Sequence, residues 1–166
     1  MKVLVAYYSD TGNTEKVARA IYEELSFADK QIVSIKKAPA GLDYDVLFLG
    51  FPVQNHGVPQ VVEKFLKKVP PGKKVAFFAT HGSLRGGEFA VTAFYAALGM
   101  TPKLKVLGTF GCRGKVKSNV LEKLSERPQD KYWAMEAQSA AGHPDEADLA
   151  DAKRWATLML MKARSI

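Results

Sequence analysis

Residues 3–14 read VLVAYYSDTGNT, an apolar run from Val3 to Tyr8 that stops abruptly in the hydroxyl- and amide-rich stretch Ser9-Asp10-Thr11-Gly12-Asn13-Thr14. A run that is apolar at nearly every position marks a strand buried on both faces, the kind found in parallel sheets covered by helices. Val17, Ile21 and Leu25 then recur at helical spacing, so a helix is predicted after the loop. The loop therefore leaves a buried strand and starts a helix. It either merely caps that helix or also holds a phosphate.

Three more runs have the same character: Val46 to Phe51, Val75 to Ala79 and, more weakly, Val106 to Phe110. The segment QIVSIKK from Gln31 mixes polar and apolar residues, and KLKVLGTF from Lys103 begins with strict alternation, as strands with one protected face do. The second and fifth strands are thus predicted at the sheet edges. Between the strands, Val58, Val61, Val62, Phe65 and Leu66 share a helical face, and a further helix covers Phe89 to Leu98. In the last helix Pro144 is expected in the first turn, Asp145 and Glu146 complement the helix dipole, and Leu149, Ala152, Ala156 and Met159 form an inward stripe.

Strand and helix alternating along the chain imply parallel strands joined by right-handed crossovers. The expected fold is a three-layer, doubly wound α/β domain with a five-stranded parallel sheet in the order 2-1-3-4-5. Ligands of such sheets bind at the carboxyl ends of the strands, beside the switch point between strands one and three, and the opening loop leaves the first strand there. Lys115 to Gly142 fits this pattern least: a short helix is plausible before Pro128, and the rest is expected to be an irregular extension of the fifth crossover.

With 166 residues, 47% of them hydrophobic, the chain suits one domain spanning residues 1–166 with a full core. No apolar run is long enough to cross a bilayer, and strand-like sequence follows Met1 with no signal segment, so a cytoplasmic location is expected. A lone cysteine, Cys112, allows no internal disulfide, and no cluster of Cys and His suits zinc or an iron–sulfur cluster. Redox chemistry in this chain would require an organic cofactor.

A phosphate monoester carries nearly two charges and three acceptor oxygens, and a helix amino terminus offers free N–H groups and a partial positive charge. Ser9, Thr11 and Thr14 add hydroxyls, Asn13 adds an amide, and Gly12 permits a tight turn and a close approach of backbone to ligand. The stretch is not a Walker loop, having one glycine and no Gly-Lys pair. The dinucleotide pattern Gly-x-Gly-x-x-Gly occurs nowhere, which disfavours tightly held ATP or NAD. Thr11, Asn13 and Thr14 are equally good turn and cap residues, so both readings of the loop stand on local sequence.

SDTGNT after a first apolar strand resembles the Ser/Thr-x-Thr-Gly-x-Thr phosphate loop of the flavodoxin family. The resemblance continues in LFLGFPVQNHGVPQVVEKFL, GKKVAFFATHGSLRGGEF, VLGTFGCRGK and GHPDEADLADAKRWA, across nearly the whole chain. It implies a noncovalent FMN whose phosphate is held by Ser9, Asp10, Thr11, Gly12, Asn13 and Thr14, with Asp10 contributing backbone while its carboxylate points away. It also implies that the isoalloxazine ring lies between two loops, Pro52-Val53-Gln54-Asn55-His56-Gly57 and Thr80-His81-Gly82-Ser83-Leu84-Arg85-Gly86-Gly87. Glycines of the second loop would let backbone amides reach the polar edge of the ring, and Gln54 and Asn55 offer donors and acceptors. Gly86 and Gly87 serve equally as a plain turn before the next helix. Cys112 and Arg113 fall on the same rim, at the end of the fifth strand. Neither ring loop contains the Trp or Tyr that flanks the ring in many flavodoxins. His56 or His81 would stack there instead, or one face would stay open to a substrate or partner.

Lysine and arginine number 24 against 17 aspartate and glutamate, a formal net charge of +7, where many flavodoxins are acidic. Much of the excess lies in Lys67, Lys68, Lys73 and Lys74, and in Lys103, Lys105, Arg113, Lys115 and Lys117. It either solvates the surface or docks the protein onto an acidic face of a redox partner. Arg85, Arg113 and Lys115 near the ring would favour its anionic reduced form and raise its potential above that of strongly acidic flavodoxins. Nucleic acid is not expected, because the basic residues are not interleaved with aromatics, and neither is a membrane. The resemblance thus implies an electron-transfer protein that passes electrons from a reductase to a partner oxidoreductase. An FMN-dependent NAD(P)H:quinone or small-molecule oxidoreductase is the alternative, and a flavodoxin-like binding module without flavin is the third reading.

Overall fold

The computed structural model describes residues 1–25, 28–39 and 41–166. Five strands, β1 (Lys2–Tyr7), β2 (Asp29–Ser34), β3 (Val46–Pro52), β4 (Lys74–His81) and β5 (Lys105–Arg113), pair in parallel in the order β2-β1-β3-β4-β5. That is the expected order, with β2 and β5 at the edges. The apolar runs dictate it. Val3 to Ala6, Val46 to Leu49 and Val75 to Ala79 are almost wholly buried, an environment that the middle of a sheet covered on both faces provides.

The helices are α1 (Asn13–Glu24), α2 (Gln60–Leu66), α3 (Glu88–Gly99), α4 (Ser118–Ser125), α5 (Lys131–Gln138) and α6 (Glu146–Ser165). Alternate side chains of the central strands feed two cores. Val5, Phe48 and Phe78 pack with Val17 and Ile21 of α1 and Ala152, Ala156 and Leu160 of α6 on one face. Leu4, Leu49 and Phe77 pack with Val62 and Leu66 of α2 and Ala93 and Ala97 of α3 on the other. Among the described residues, no helix is long and apolar enough to cross a membrane.

The carboxyl ends of β4 and β5 outrun their apolar runs. The pairs Thr80↔Cys112 and His81↔Arg113 extend the ladder, because strand pairing satisfies backbone groups whatever the side chain. At β2 the ladder stops at Ser34, short of the expected Lys37, and Ile35–Lys37 wind into a 3₁₀ turn that buries Ile35. The fifth ladder begins at Lys105 rather than Lys103.

The fifth crossover departs most from expectation, since α4, α5 and α6 all follow β5. α4 is the short helix foreseen before Pro128. α5 occupies the stretch predicted to be irregular; its sequence KYWAMEAQ has no apolar stripe, and its buried residues are Ala134 and Ala137. Arg113 holds it. The guanidinium donates to the Glu136 carbonyl at 2.8 Å, the Ser139 hydroxyl at 2.7 Å and the Ser139 carbonyl at 3.3 Å, placing a cation at the negative end of the helix dipole. α6 begins just after Asp145, which forms a capping box with Asp148, so Pro144 precedes the cap instead of occupying the first turn.

Several cations of the basic excess likewise serve the fold. Lys74 donates to the Ala163 and Ile166 carbonyls, both at 2.7 Å, and so caps the end of α6. Lys73 donates to the Tyr44 carbonyl and Lys162 to that of Leu107.

Candidate functional site

At the carboxyl ends of β1, β3 and β4 the loops surround a cleft of ≈ 680 Å³, within the size range of cofactor sites. α1 starts at its edge. Gly12 is the N-cap with φ 88°, a left-handed conformation that glycine adopts without Cβ strain, and no side chain caps the helix. The first-turn N–H groups have no intrahelical acceptor. The helix thus presents donors and the positive end of its dipole beside Thr11 and Asn13, which line the cleft.

Other polar groups of this loop are engaged within the protein. The Ser9 hydroxyl accepts from the Gly12 N–H at 3.0 Å, and the Asn13 amide donates to the Lys115 carbonyl at 2.9 Å. The Thr14 and Thr80 hydroxyls share a buried hydrogen bond of 2.8 Å. Asp10 turns its carboxylate to Lys117, 2.6 Å away. Gly114 must be small for this arrangement: a Cβ there would come 2.9 Å from the Asn13 amide nitrogen.

Pro52, Val53, Gln54, Asn55 and His56 form the second side of the cleft. Gln54 and Gly57 exchange backbone hydrogen bonds of 3.2 and 2.9 Å around Asn55 and His56, whose φ values are 48° and 60°. This is the two-residue turn with both central positions left-handed, and Asn and His are among the side chains that tolerate it. The His56 ring is held 4.0 Å from that of Phe89, at the start of α3.

Thr80, His81, Gly82 and Ser83 line the cleft from the end of β4. Nδ1 of His81 lies 3.0 Å from both the carbonyl and the hydroxyl of Ser83, and Nε2 has no partner among the described residues. Burial is the main influence on this ring and lowers its pKa from the ordinary histidine value. His81 is therefore neutral at pH 7.

The third side comes from the segment after β5. Gly114 to Lys117, Val120 and Leu124 of α4, and Arg127, Gln129, Asp130 and Trp133 all face the cleft. Trp133 stands edge-on to Phe89, with centroids 6.0 Å apart at 88°, and to His56, 6.5 Å apart at 71°. Three aromatic rings from three elements thus meet at the cleft. Apart from Lys115, sequence reasoning misses this wall, for which an isolated indole in KYWAMEAQ is the available signal.

Nine expected site residues lie outside the cleft lining, and five of them, Arg85, Gly86, Gly87, Cys112 and Arg113, belong to other parts of the fold. Arg85 pairs with Asp148 at 2.9 Å and Asp151 at 2.8 Å, both on α6. Gly86 has φ 76° and Gly87 is the N-cap of α3, so the two make the plain turn before that helix. Cys112 is buried, and burial, aided by Asp148, pushes its thiol up to about 12, which leaves it protonated and a weak nucleophile. Arg113 clasps α5. Ser9, Gly12, Thr14 and Gly57 shape the loops without lining the cleft.

Cations that do line it are Lys115, Lys117 and Arg127. Lys74 and Lys105 are paired at the amino ends of β4 and β5, so the basic residues around them lie at the opposite end of the sheet. Burial works against the Asp148 carboxylate, yet hydrogen bonds from His143 and the Asp145 N–H, with Arg85 nearby, outweigh it and hold the pKa below the ordinary aspartate value.

A family model for the flavodoxin domain matches residues 4–157. Over nearly its whole length the chain is similar to the flavodoxin-like domain-containing protein BilS of Clostridioides difficile (strain CD3), being 31% identical over 175 residues that cover 98% of both. The solved structure of a flavodoxin from the domain Archaea covers 99% of both chains with a TM-score of 0.64 at 18% identity. That of two-electron reduced Megasphaera elsdenii flavodoxin covers 84% of this chain and 98% of its own, with a TM-score of 0.56 at 26% identity. Strand order, phosphate-type loop, family match and full-length relative agree: the chain belongs to the flavodoxin family, and FMN is the cofactor that membership implies.

Proposed function

We propose that the chain binds one FMN noncovalently in this cleft and works as a cytoplasmic electron carrier, taking electrons from a reductase and passing them to a partner oxidoreductase. The observation that carries this reading is the start of α1: a helix amino terminus with no side-chain cap, opening beside a cleft of ≈ 680 Å³. A phosphate is the anion such a terminus accommodates. The donor set fits the rest of the group. Thr11, Lys115 and Lys117 complement a phosphate, Gln54 and Asn55 offer amides to a heteroaromatic edge, and Val53, Val116, Val120 and Leu124 offer apolar surface to a flat ring.

Bound there, FMN supplies one- and two-electron transfer chemistry. The residues of the chain hold and orient. The first turn of α1 fixes the phosphate end, and the β3 loop, locked by the Gln54 and Gly57 hydrogen bonds, keeps its amides in place. Apolar side chains on the α4 wall exclude water from the ring. The histidines of the cleft serve structure rather than proton transfer: His81 is buried and tied to Ser83, and His56 is stacked on Phe89. This favours a carrier over an oxidoreductase acting alone. Lys115, Lys117 and Arg127 at the cleft suit a partner with an acidic docking face.

Purified protein is expected to be yellow, to release stoichiometric FMN on denaturation, and to reduce quinones only negligibly with NADH or NADPH alone. A colourless protein with no affinity for added FMN would overturn the reading. Fast NAD(P)H:quinone turnover without a partner would replace the carrier with an enzyme.

A further inference from the structure

We propose that Trp133 covers the FMN ring, so that the ring-covering aromatic missing from both ring loops is delivered by α5. The inference rests on the FMN reading above and assigns a contact to a helix outside the phosphate and ring loops.

Three observations carry it. Trp133 is the one Trp or Tyr among the residues that line the cleft. The indole is held in place by ring packing, edge-on to Phe89 and His56, which fixes its plane. Finally, α5 is tied to the rim itself. Arg113 clasps its carboxyl end, and the Glu136 carboxylate accepts from the backbone N–H of Leu84, in the loop after β4. Trp133 is thus mounted on a support that is anchored to one of the two ring loops.

Val120 and Leu124 of α4 continue the same apolar wall. A flavin ring has apolar faces and a polar edge, so a wall of this composition suits a face and the amides of the β3 loop suit the edge. Two consequences follow from the assignment. The indole lies in contact with bound flavin, and the α4–α5 excursion becomes part of the cofactor site, so that bound FMN protects it from local opening.

An indole in contact with flavin quenches flavin emission, and a phenylalanine does not. Wild-type protein and the variants Trp133→Phe and Trp155→Phe are reconstituted with FMN to equal occupancy, read by absorbance. Trp155 serves as the control because it packs in the core against Phe48 and Phe110. Wild type and Trp155→Phe are expected to hold weakly fluorescent flavin, and Trp133→Phe to emit several-fold more. Trp133→Phe keeps an aromatic ring against Phe89 and so preserves the wall, while Trp133→Leu is expected to bind FMN about tenfold more weakly. Tryptic cleavage at Lys123, Arg127 and Lys131 is expected to slow several-fold when FMN is added to wild type. Full occupancy with emission as low in Trp133→Phe as in wild type overturns the assignment, as does cleavage unaffected by FMN. A chain that holds no FMN removes the underlying reading as well.

Discussion

The hydroxyls of Thr14 and Thr80 lie 2.8 Å apart in a buried hydrogen bond that ties the first turn of α1 to the carboxyl end of β4. Thr14 is 1% exposed, whereas Thr11 is exposed and lines the cleft. Two threonines of one loop pattern therefore have different tasks. Thr14→Val leaves the Thr80 hydroxyl buried without its partner and is expected to lower stability by about 1–3 kcal/mol, measured as a shifted urea midpoint of the apoprotein. Thr11→Ala is expected to leave that midpoint unchanged and to weaken FMN by about tenfold or more, the loss of one hydrogen bond to a charged group. If Thr11→Ala binds FMN as tightly as wild type, the loop is a helix cap alone.

His81 and Asp148 set two separate acid limits on stability. The folded-state pKa of His81 is depressed, chiefly by burial. Above the unfolded value of about 6.5 both states are neutral; as pH falls below it, the unfolded chain takes up a proton that the folded chain refuses, and stability declines. Asp148 is depressed too, through His143, the Asp145 N–H and Arg85 acting against burial. Its contribution is present above about pH 4 and is lost as pH falls through the folded-state value. Urea midpoints across pH should show His81→Gln flattening the profile as pH falls below about 6.5, and Asp148→Asn flattening it further down, below about pH 4. A His81→Gln protein that keeps the full slope in the upper window would dispose of the histidine limit.

Most of the sheet is legible in sequence because its information is local: runs such as Val46 to Phe51 state their burial residue by residue, and alternation at Lys103 marks an edge. The loops after β1, β3 and β4 that line the cleft are legible for the same reason, since each leaves the end of a recognisable strand. α5 is not. Its helix buries two alanines and depends on the Arg113 guanidinium reaching Glu136 and Ser139, a tertiary support that no period in KYWAMEAQ announces. The same long-range bonds explain why Arg85 and Arg113 read as cations for the flavin. At a strand end or in the loop after it, a free cation and a structural clasp have identical local sequence, and the partners that these two guanidiniums have on α5 and α6 lie far away in the chain.

Lys117 and Asp10, 2.6 Å apart at the cleft, predict opposite effects of two conservative changes. Lys117→Gln leaves the Asp10 carboxylate unpaired beside the start of α1, where a like charge would disfavour a bound anion. FMN affinity is expected to fall by roughly tenfold, the effect of about 1.4 kcal/mol, and the reduction potential to move more negative by on the order of tens of millivolts. Asp10→Asn removes the competing anion and should tighten FMN and raise the potential. Calorimetric titration of apoprotein and a spectroelectrochemical titration of the holoprotein read both. Shifts of the same sign in the two variants would show that the pair does not address the bound anion. Electron transfer to the partner should also slow as salt rises, more in wild type than in Lys117→Gln.

Gly114 is where the third wall meets the start of α1, and its substitution tests that junction. A Cβ at this position would lie 2.9 Å from Asn13 Nδ2 and 3.2 Å from its Cβ and Cγ, while the Asn13 amide is bonded to the neighbouring Lys115 carbonyl. The Asn13 side chain cannot retreat without breaking that bond, and Asn13 is the first residue of α1. Gly114→Ala is therefore expected to cost about 1–3 kcal/mol, the usual range for overpacking, and to weaken FMN about tenfold by displacing the helix start. Gly142→Ala, with open space around the new methyl, should change neither. The double variant decides the mechanism. Asn13→Ala removes Nδ2 and Cγ and leaves only the Cβ contact of 3.2 Å, so Gly114→Ala added to it should cause less further loss of affinity, a coupling that a double-mutant cycle measures. Losses that simply add would locate the effect of Gly114 in its own backbone rather than in the contact with Asn13.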